Sequence, residues 1–161
     1  RYNIENAIAN GLRVGVYFYS GATDVAAAKE EAEYCLSLIK DYDIKYPVAF
    51  DWELNDDEDP DVITEVCEAF CDIIADNGYA PMIYTNRNRW YNTMNAGELT
   101  SKYLAWMAAW FYDYYYTSTR WEIGDDIASF KYPFQMWQYG VTDTVSGIDG
   151  YVDMDIIIIR K

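Results

Sequence analysis

Between residues 12 and 86 strand-like apolar runs alternate with helical stretches, and this rhythm most narrows the folds open to the chain. Leu12 to Ser20 (LRVGVYFYS), Pro47 to Glu53 (PVAFDWE) and Ala80 to Asn86 (APMIYTN) read as buried strands. After the first, Thr23 is suited to cap a helix that continues to about Lys40. Val25, Ala28, Ala32, Cys35, Leu36 and Ile39 form its apolar stripe. After the second, Asp59 followed by Pro60 is a helix start, with Val62, Ile63, Val66, Phe70, Ile73 and Ile74 marking the helix and Gly78 ending it. Residues 3–11 read as the tail of a helix that stops at Gly11. Such alternation predicts parallel β/α architecture, with the chemistry at the carboxyl ends of the strands. Beyond residue 86 the rhythm changes. Residues 87–99 suit a short helix. Lys102 to Trp110 (KYLAWMAAW) fits strand or helix, and its aromatics favour strand. Gln135 to Gly140 and Tyr151 to Ile159 read as strands, with little helical pattern between them.

The second strand ends in two acids. Residues two apart on a strand share a face, so Asp51 and Glu53 emerge together while Trp52 turns away toward an outer helix. Their Cα atoms should lie about 6.6 Å apart, from a rise of ~3.3 Å per residue. Paired carboxyls suit glycoside hydrolysis, in which a protonated carboxyl works beside an ionised one. A solvated strand end fits the bare pattern as well. The spacing falls between the ~5–5.5 Å of retaining and the ~6.5–9.5 Å of inverting pairs, and Cα separations are not carboxyl separations. The stereochemical outcome therefore stays open.

Composition removes several classes. The 161 residues suffice for one domain, and 52% hydrophobic content supplies a core. A net charge of −15 argues against nucleic-acid binding and against a polybasic membrane anchor. No apolar run approaches the ~20 residues of a membrane-spanning helix. Histidine is absent, which excludes Ser-His-Asp and Cys-His catalysis and His-ligated metals. Cys35, Cys67 and Cys71 form no metal-ligand pattern, and Cys67 and Cys71 suit packing within a helix. The acidic run from Asp56 to Asp61 resembles a calcium loop, but Val62 stands where the loop requires Gly, so a solvated loop with a helix cap explains it better. Neither a metal nor a cofactor is expected.

Several segments, in order, resemble the glycoside hydrolase family 25 lysozymes, the Chalaropsis-type N-acetylmuramidases. Gly15 to Ser20, then Ala22-Thr23 and a helix with Ala28 and Glu31-Ala32, is similar to the family's third strand and helix. Pro47 to Glu53 is similar to its D-x-E strand, and Gly78 to Thr85 to the strand after. Trp106, Ala108 and Trp110 match a W-x-A-x-aromatic strand. Trp137-Gln138-Tyr139 and Val145 to Asp155 match its closing signature. The resemblance implies a modified TIM-like β/α barrel forming a single catalytic domain over residues 1–161. The family's first strand, with an aspartate in a G-x-D-x-S context, and its second strand have no match here. The expectation is an amino-terminally incomplete domain, with strands exchanged between two copies as the alternative. The intact domain is expected to be a monomer.

The resemblance also assigns roles. Glu53 would be the general acid, its carboxyl kept protonated by burial and neighbouring acids. Asp51 would stay ionised, and either orient the substrate's 2-acetamido group or stabilise the developing cation. Asp153 would add negative charge to the cleft floor. Tyr19, Tyr84, Trp110, Trp137 and Tyr139 would form a sugar platform, because an aromatic ring covers the apolar face of a pyranose. Gln138 would hold a sugar hydroxyl or acetamido group. The implied activity is cleavage of the β-1,4 bond between N-acetylmuramic acid and N-acetylglucosamine in peptidoglycan, outside the cell or in its wall. Two other readings are a non-catalytic carbohydrate-binding barrel and an interaction domain using the Tyr-rich stretch Trp110 to Tyr116 (WFYDYYY).

Overall fold

A computed structural model describes residues 1–54, 57–110 and 125–158. Six strands form one curled sheet: β1 (Val14–Tyr19), β2 (Ile44–Asp51), β3 (Pro81–Asn86), β4 (Leu104–Ala108), β5 (Met136–Asp143) and β6 (Val152–Ile157). They lie in chain order across the sheet. β1 to β5 pair in parallel and β6 returns antiparallel. The helices are α1 (Tyr2–Ala9), α2 (Val25–Ile39), α3 (Pro60–Asp76), α4 (Arg87–Asn92), α5 (Ala96–Lys102) and α6 (Asp125–Ala128). The result is a partial β/α barrel with a convex face under helices and an open concave face.

Period-2 alternation divides each strand between these faces. On the convex side Val48, Phe50, Ile83, Ala105, Met107 and Trp137 join α2 and α3 in one core. Trp52 continues that row, 1% exposed and 6.0 Å from the Phe50 ring, so it turns away from the two acids. α2 contributes Ala28, Ala32, Cys35 and Ile39. α3 contributes Ile63, Val66, Cys67, Phe70, Cys71 and Ile74, and Phe70 lies 4.6 Å from Phe50. All three cysteines are free and buried. Burial pushes the Cys35 thiol up to about 11 and raises Cys67 and Cys71 further, so they behave as small apolar side chains.

Several boundaries differ from those the sequence suggests. Asp24, not Thr23, caps α2, its carboxylate accepting from the Ala27 N–H at 2.8 Å. Asp59 caps α3 through the Asp61 N–H, with Pro60 in the first turn. Residues 87–99 hold parts of two helices. The break falls where the Asn95 N–H donates to Thr64 Oγ1 and its side-chain amide donates to Asp61 on α3. α6 is a single turn in a stretch without helical pattern, fixed by the fully buried Ile127. The tyrosines of 111–116, Asn55 and Asp56 of the acidic loop, and Ile159 at the expected end of β6 lie outside the described residues.

Candidate active site

One row of side chains crosses the concave face near the carboxyl ends of the strands. Tyr19 pairs in register with Asp51, Asp51 with Tyr84, and Tyr84 with Trp106. Strand neighbours in register point the same way, so these four stand side by side. Together with Tyr17, Glu53, Gln138 and Asp153 they line a cavity of about 300 Å³. Beneath it lies a second, more apolar cavity of about 290 Å³, walled by Pro47, Ala49, Met82 and Met136, with Tyr17 and Trp106 shared between the two.

Asp51 is only 6% exposed. It is the last residue of β2 and is flanked by two tyrosines. Its Oδ1 has no hydrogen-bond partner among the described residues. Burial, then the nearby Glu53 carboxylate, push its carboxyl up to about 7, with Arg89 opposing. Burial thus works against the ionised form expected for Asp51, because a carboxylate taken out of water loses its hydration. Glu53 lies just beyond the strand end at intermediate exposure. Arg89 of α4 fixes its backbone, Nη2 donating to the Glu53 carbonyl at 2.6 Å. The preceding carbonyl, that of Trp52, accepts from Thr85 Oγ1 at 2.7 Å. The acid-bearing segment is thus tied to β3 and α4.

A hydrogen-bonded network occupies the opposite wall. Tyr84 Oη donates to Gln138 Oε1 at 2.8 Å, and Trp110 Nε1 donates to the same oxygen at 3.0 Å. Gln138 Nε2 donates to Asp153 Oδ2 at 3.3 Å. Trp106 Nε1 donates to Asp155 Oδ1 at 2.7 Å, and the Trp106 and Tyr84 rings meet edge to face at 4.7 Å. Surrounding protein, then the Asp153 charge, push Asp155 up to about 6, against the Trp106 hydrogen bond that lowers it.

The structure therefore brings Asp51, Glu53, Asp153, Tyr19, Tyr84 and Gln138 to one cleft, with Trp110 bonded at its edge. It does not bring Trp137 or Tyr139. Trp137 is fully buried in the convex core and its indole N–H donates to the Ala109 carbonyl at 2.9 Å. Tyr139 packs beside it, ring centroids 5.8 Å apart. The reason is the phase of β5: Met136 and Gln138 face the cavities, so 137 and 139 face the helices. Tyr17, Trp106 and Asp155 were not among the residues the sequence singled out for the site. Tyr17 sits two residues before Tyr19 and Asp155 two after Asp153, so strand alternation carried that signal. Among the described residues no group of three or more Cys, Asp or Glu is arranged to hold a metal ion. No helix among them is long and apolar enough to cross a membrane.

A partial β/α barrel with paired carboxyls and aromatics at its strand ends is the architecture of a sugar-cleaving enzyme class. The family model for glycosyl hydrolases family 25 matches residues 1–148. The chain belongs to that family. No curated protein matches the sequence. Among solved structures the chain is similar to the CTP1L endolysin at 25% identity and a TM-score of 0.77, covering 98% of this chain and 51% of that one. It is also similar to the modular autolysin LytC from Streptococcus pneumoniae, solved with a synthetic peptidoglycan ligand, at 24% identity and a TM-score of 0.73 (96% and 36% covered). The modular Cpl-1 endolysin complexed with a peptidoglycan analogue is similar at 20% identity and a TM-score of 0.66 (98% and 43% covered). The chain thus spans about half the length of the CTP1L chain and little more than a third of LytC.

Proposed function

We propose that this chain carries the catalytic cleft of a peptidoglycan hydrolase of the lysozyme type. It cleaves the β-1,4 bond between N-acetylmuramic acid and N-acetylglucosamine, acting at the cell wall on glycan strands. Family membership and the peptidoglycan ligands of two similar structures support the substrate class. The observation that carries the reading is a buried carboxyl, Asp51, with one oxygen left unpartnered beside the more open Glu53.

Glu53, at the mouth of the cleft, protonates the glycosidic oxygen. Arg89 holds the Glu53 backbone, so the carboxyl works from a fixed base. Burial disfavours the charged form of Asp51, so stabilising a cation by charge suits it less. Its unpartnered oxygen suits the other role, accepting a hydrogen bond from the substrate's 2-acetamido N–H. Asp153 contributes the fixed negative charge opposite. Tyr19, half exposed, and Trp106, shared by both cavities, offer ring faces to the sugars.

The test is release of new reducing ends from purified cell walls, with Glu53→Gln alongside. Loss of a general acid lowers turnover by roughly 10²–10⁴-fold. Reducing ends at N-acetylmuramic acid that vanish in the variant support the assignment. A folded protein that binds glycan strands but releases nothing would instead be a carbohydrate-binding barrel.

A further inference from the structure

Gln138 is 3% exposed at the junction of β3, β5, β6 and the residues after β4. Its single amide oxygen meets two donors, Tyr84 Oη and Trp110 Nε1. An indole N–H can only donate. The oxygen of the amide must therefore face Trp110, which turns the amide N–H toward Asp153 Oδ2. Tyr84 reaches the same oxygen, so its hydroxyl proton is committed to Gln138. The lone pairs of that hydroxyl are left for a donor in the cleft. One donor-only side chain thus fixes the direction of the three hydrogen bonds that Gln138 makes.

We propose that Gln138 is a positioning residue whose amide sets the polarity of this network, holding Asp153 as a fixed acceptor and presenting Tyr84 to the substrate as an acceptor. Its catalytic consequence rests on the muramidase reading; the polarity itself does not. The carbonyl that a sugar-binding role would use is already filled by two protein donors. The ionisable groups around the amide are Tyr84 from β3, Asp153 and Asp155 from β6, Asp51 from β2 and Glu53 just beyond it, with Arg89 of α4 a nearby cation.

The test is Gln138→Glu, alone and combined with Asp153→Asn. A Glu side chain keeps an oxygen for Tyr84 and Trp110, but its second oxygen now faces Asp153. While that carboxyl is protonated its O–H replaces the amide N–H as donor. Once both groups ionise, like charges face each other. The melting temperature of Q138E is therefore expected to track the wild type near pH 4.5 and to fall about 5 °C or more behind it by pH 8. In Q138E/D153N the Asn amide donates to the Glu carboxylate, the polarity is reversed but complete, and the pH-dependent gap closes. In cell-wall hydrolysis, Q138E loses kcat over the same pH range with a smaller change in KM.

Melting curves that stay parallel between Q138E and wild type would overturn the proposal. So would a double variant as pH-sensitive as Q138E, which would mark a mere penalty for burying a charge. If Q138E does not fold at pH 8, recovery of the fold by Asp153→Asn supports the proposal and failure to recover overturns it. The two readings fail separately. A wild type that releases no reducing ends, with the melting pattern intact, removes the muramidase and leaves the network. Hydrolysis by the wild type with parallel melting curves does the reverse.

Discussion

The Asp51 carboxyl is pushed up to about 7 first by burial, at the end of a central strand, between two tyrosines, with one oxygen lacking a donor. The second cause of its raised pKa is the Glu53 charge. Glu53→Gln removes that charge, so the Asp51 carboxyl, followed by ¹³C NMR, should titrate below about 7; an unchanged midpoint would mean the two do not interact. The shift also links stability to pH. A carboxyl raised from 3.8 to about 7 favours the folded state most at low pH, and that contribution is lost as the pH rises through about 7. It amounts to roughly 2–4 kcal/mol for so buried a group. Asp155 shifts in the same direction, but it is exposed and solvent screening leaves it a small effect. Thermal stability should therefore decline between pH 4.5 and 8, and Asp51→Asn should flatten the slope. A second residue-level prediction concerns Trp106, whose N–H lowers the Asp155 pKa. Trp106→Phe should leave the fold intact and raise Asp155 above about 6, again read by NMR titration.

At the scale of elements, β1 and β2 come unusually close at Gly15. A Cβ added there would lie 2.8 Å from Tyr46 Cβ and 2.9 Å from the Pro47 carbonyl oxygen. Both are on the neighbouring strand and neither is a flexible side-chain tip. Gly15→Ala should destabilise by about 1–3 kcal/mol, measured in urea, and displace the Tyr17–Tyr19 side of the cleft. Helix caps offer a finer test. Asp24→Ala should cost about 0.5–2 kcal/mol while Thr23→Ala costs little, because only Asp24 accepts from the α2 backbone. The sequence favoured Thr23 because both residues are capping types one position apart; backbone direction at the turn selects between them. The first three strands and the two long helices were legible because each carries its own period. The split between α4 and α5 was not, since contacts from Asn95 to α3 impose it from outside the segment.

For the whole molecule, the proposed muramidase activity makes net charge bear on the encounter with the cell wall. With 27 acidic and 12 basic residues, the chain is repelled by anionic wall polymers. Added salt shortens the reach of that field to about 8–10 Å near physiological ionic strength. Cell-wall lysis should rise from low to moderate salt, and should be greater at mildly acidic pH, which favours the protonated form of the buried Asp51. A flat response between low and physiological ionic strength would count against steering by net charge.

Residue types and local periodicity alone determined the strand–helix alternation, the shared facing of Asp51 and Glu53 and the outward turn of Trp52. These follow from rules that act over two to four neighbouring residues. Tertiary structure decided the rest. The phase of β5 relative to its neighbours sent Trp137 and Tyr139 into the core and Gln138 into the cleft, while Trp106 on β4 took the aromatic position beside Tyr84. The raised pKa of Asp51 and the direction of the Gln138 hydrogen bonds depend on groups 28 to 54 residues apart in the sequence or on the loss of water around a strand end. Facing is a local property, whereas burial and hydrogen-bond polarity exist only once distant strands are side by side.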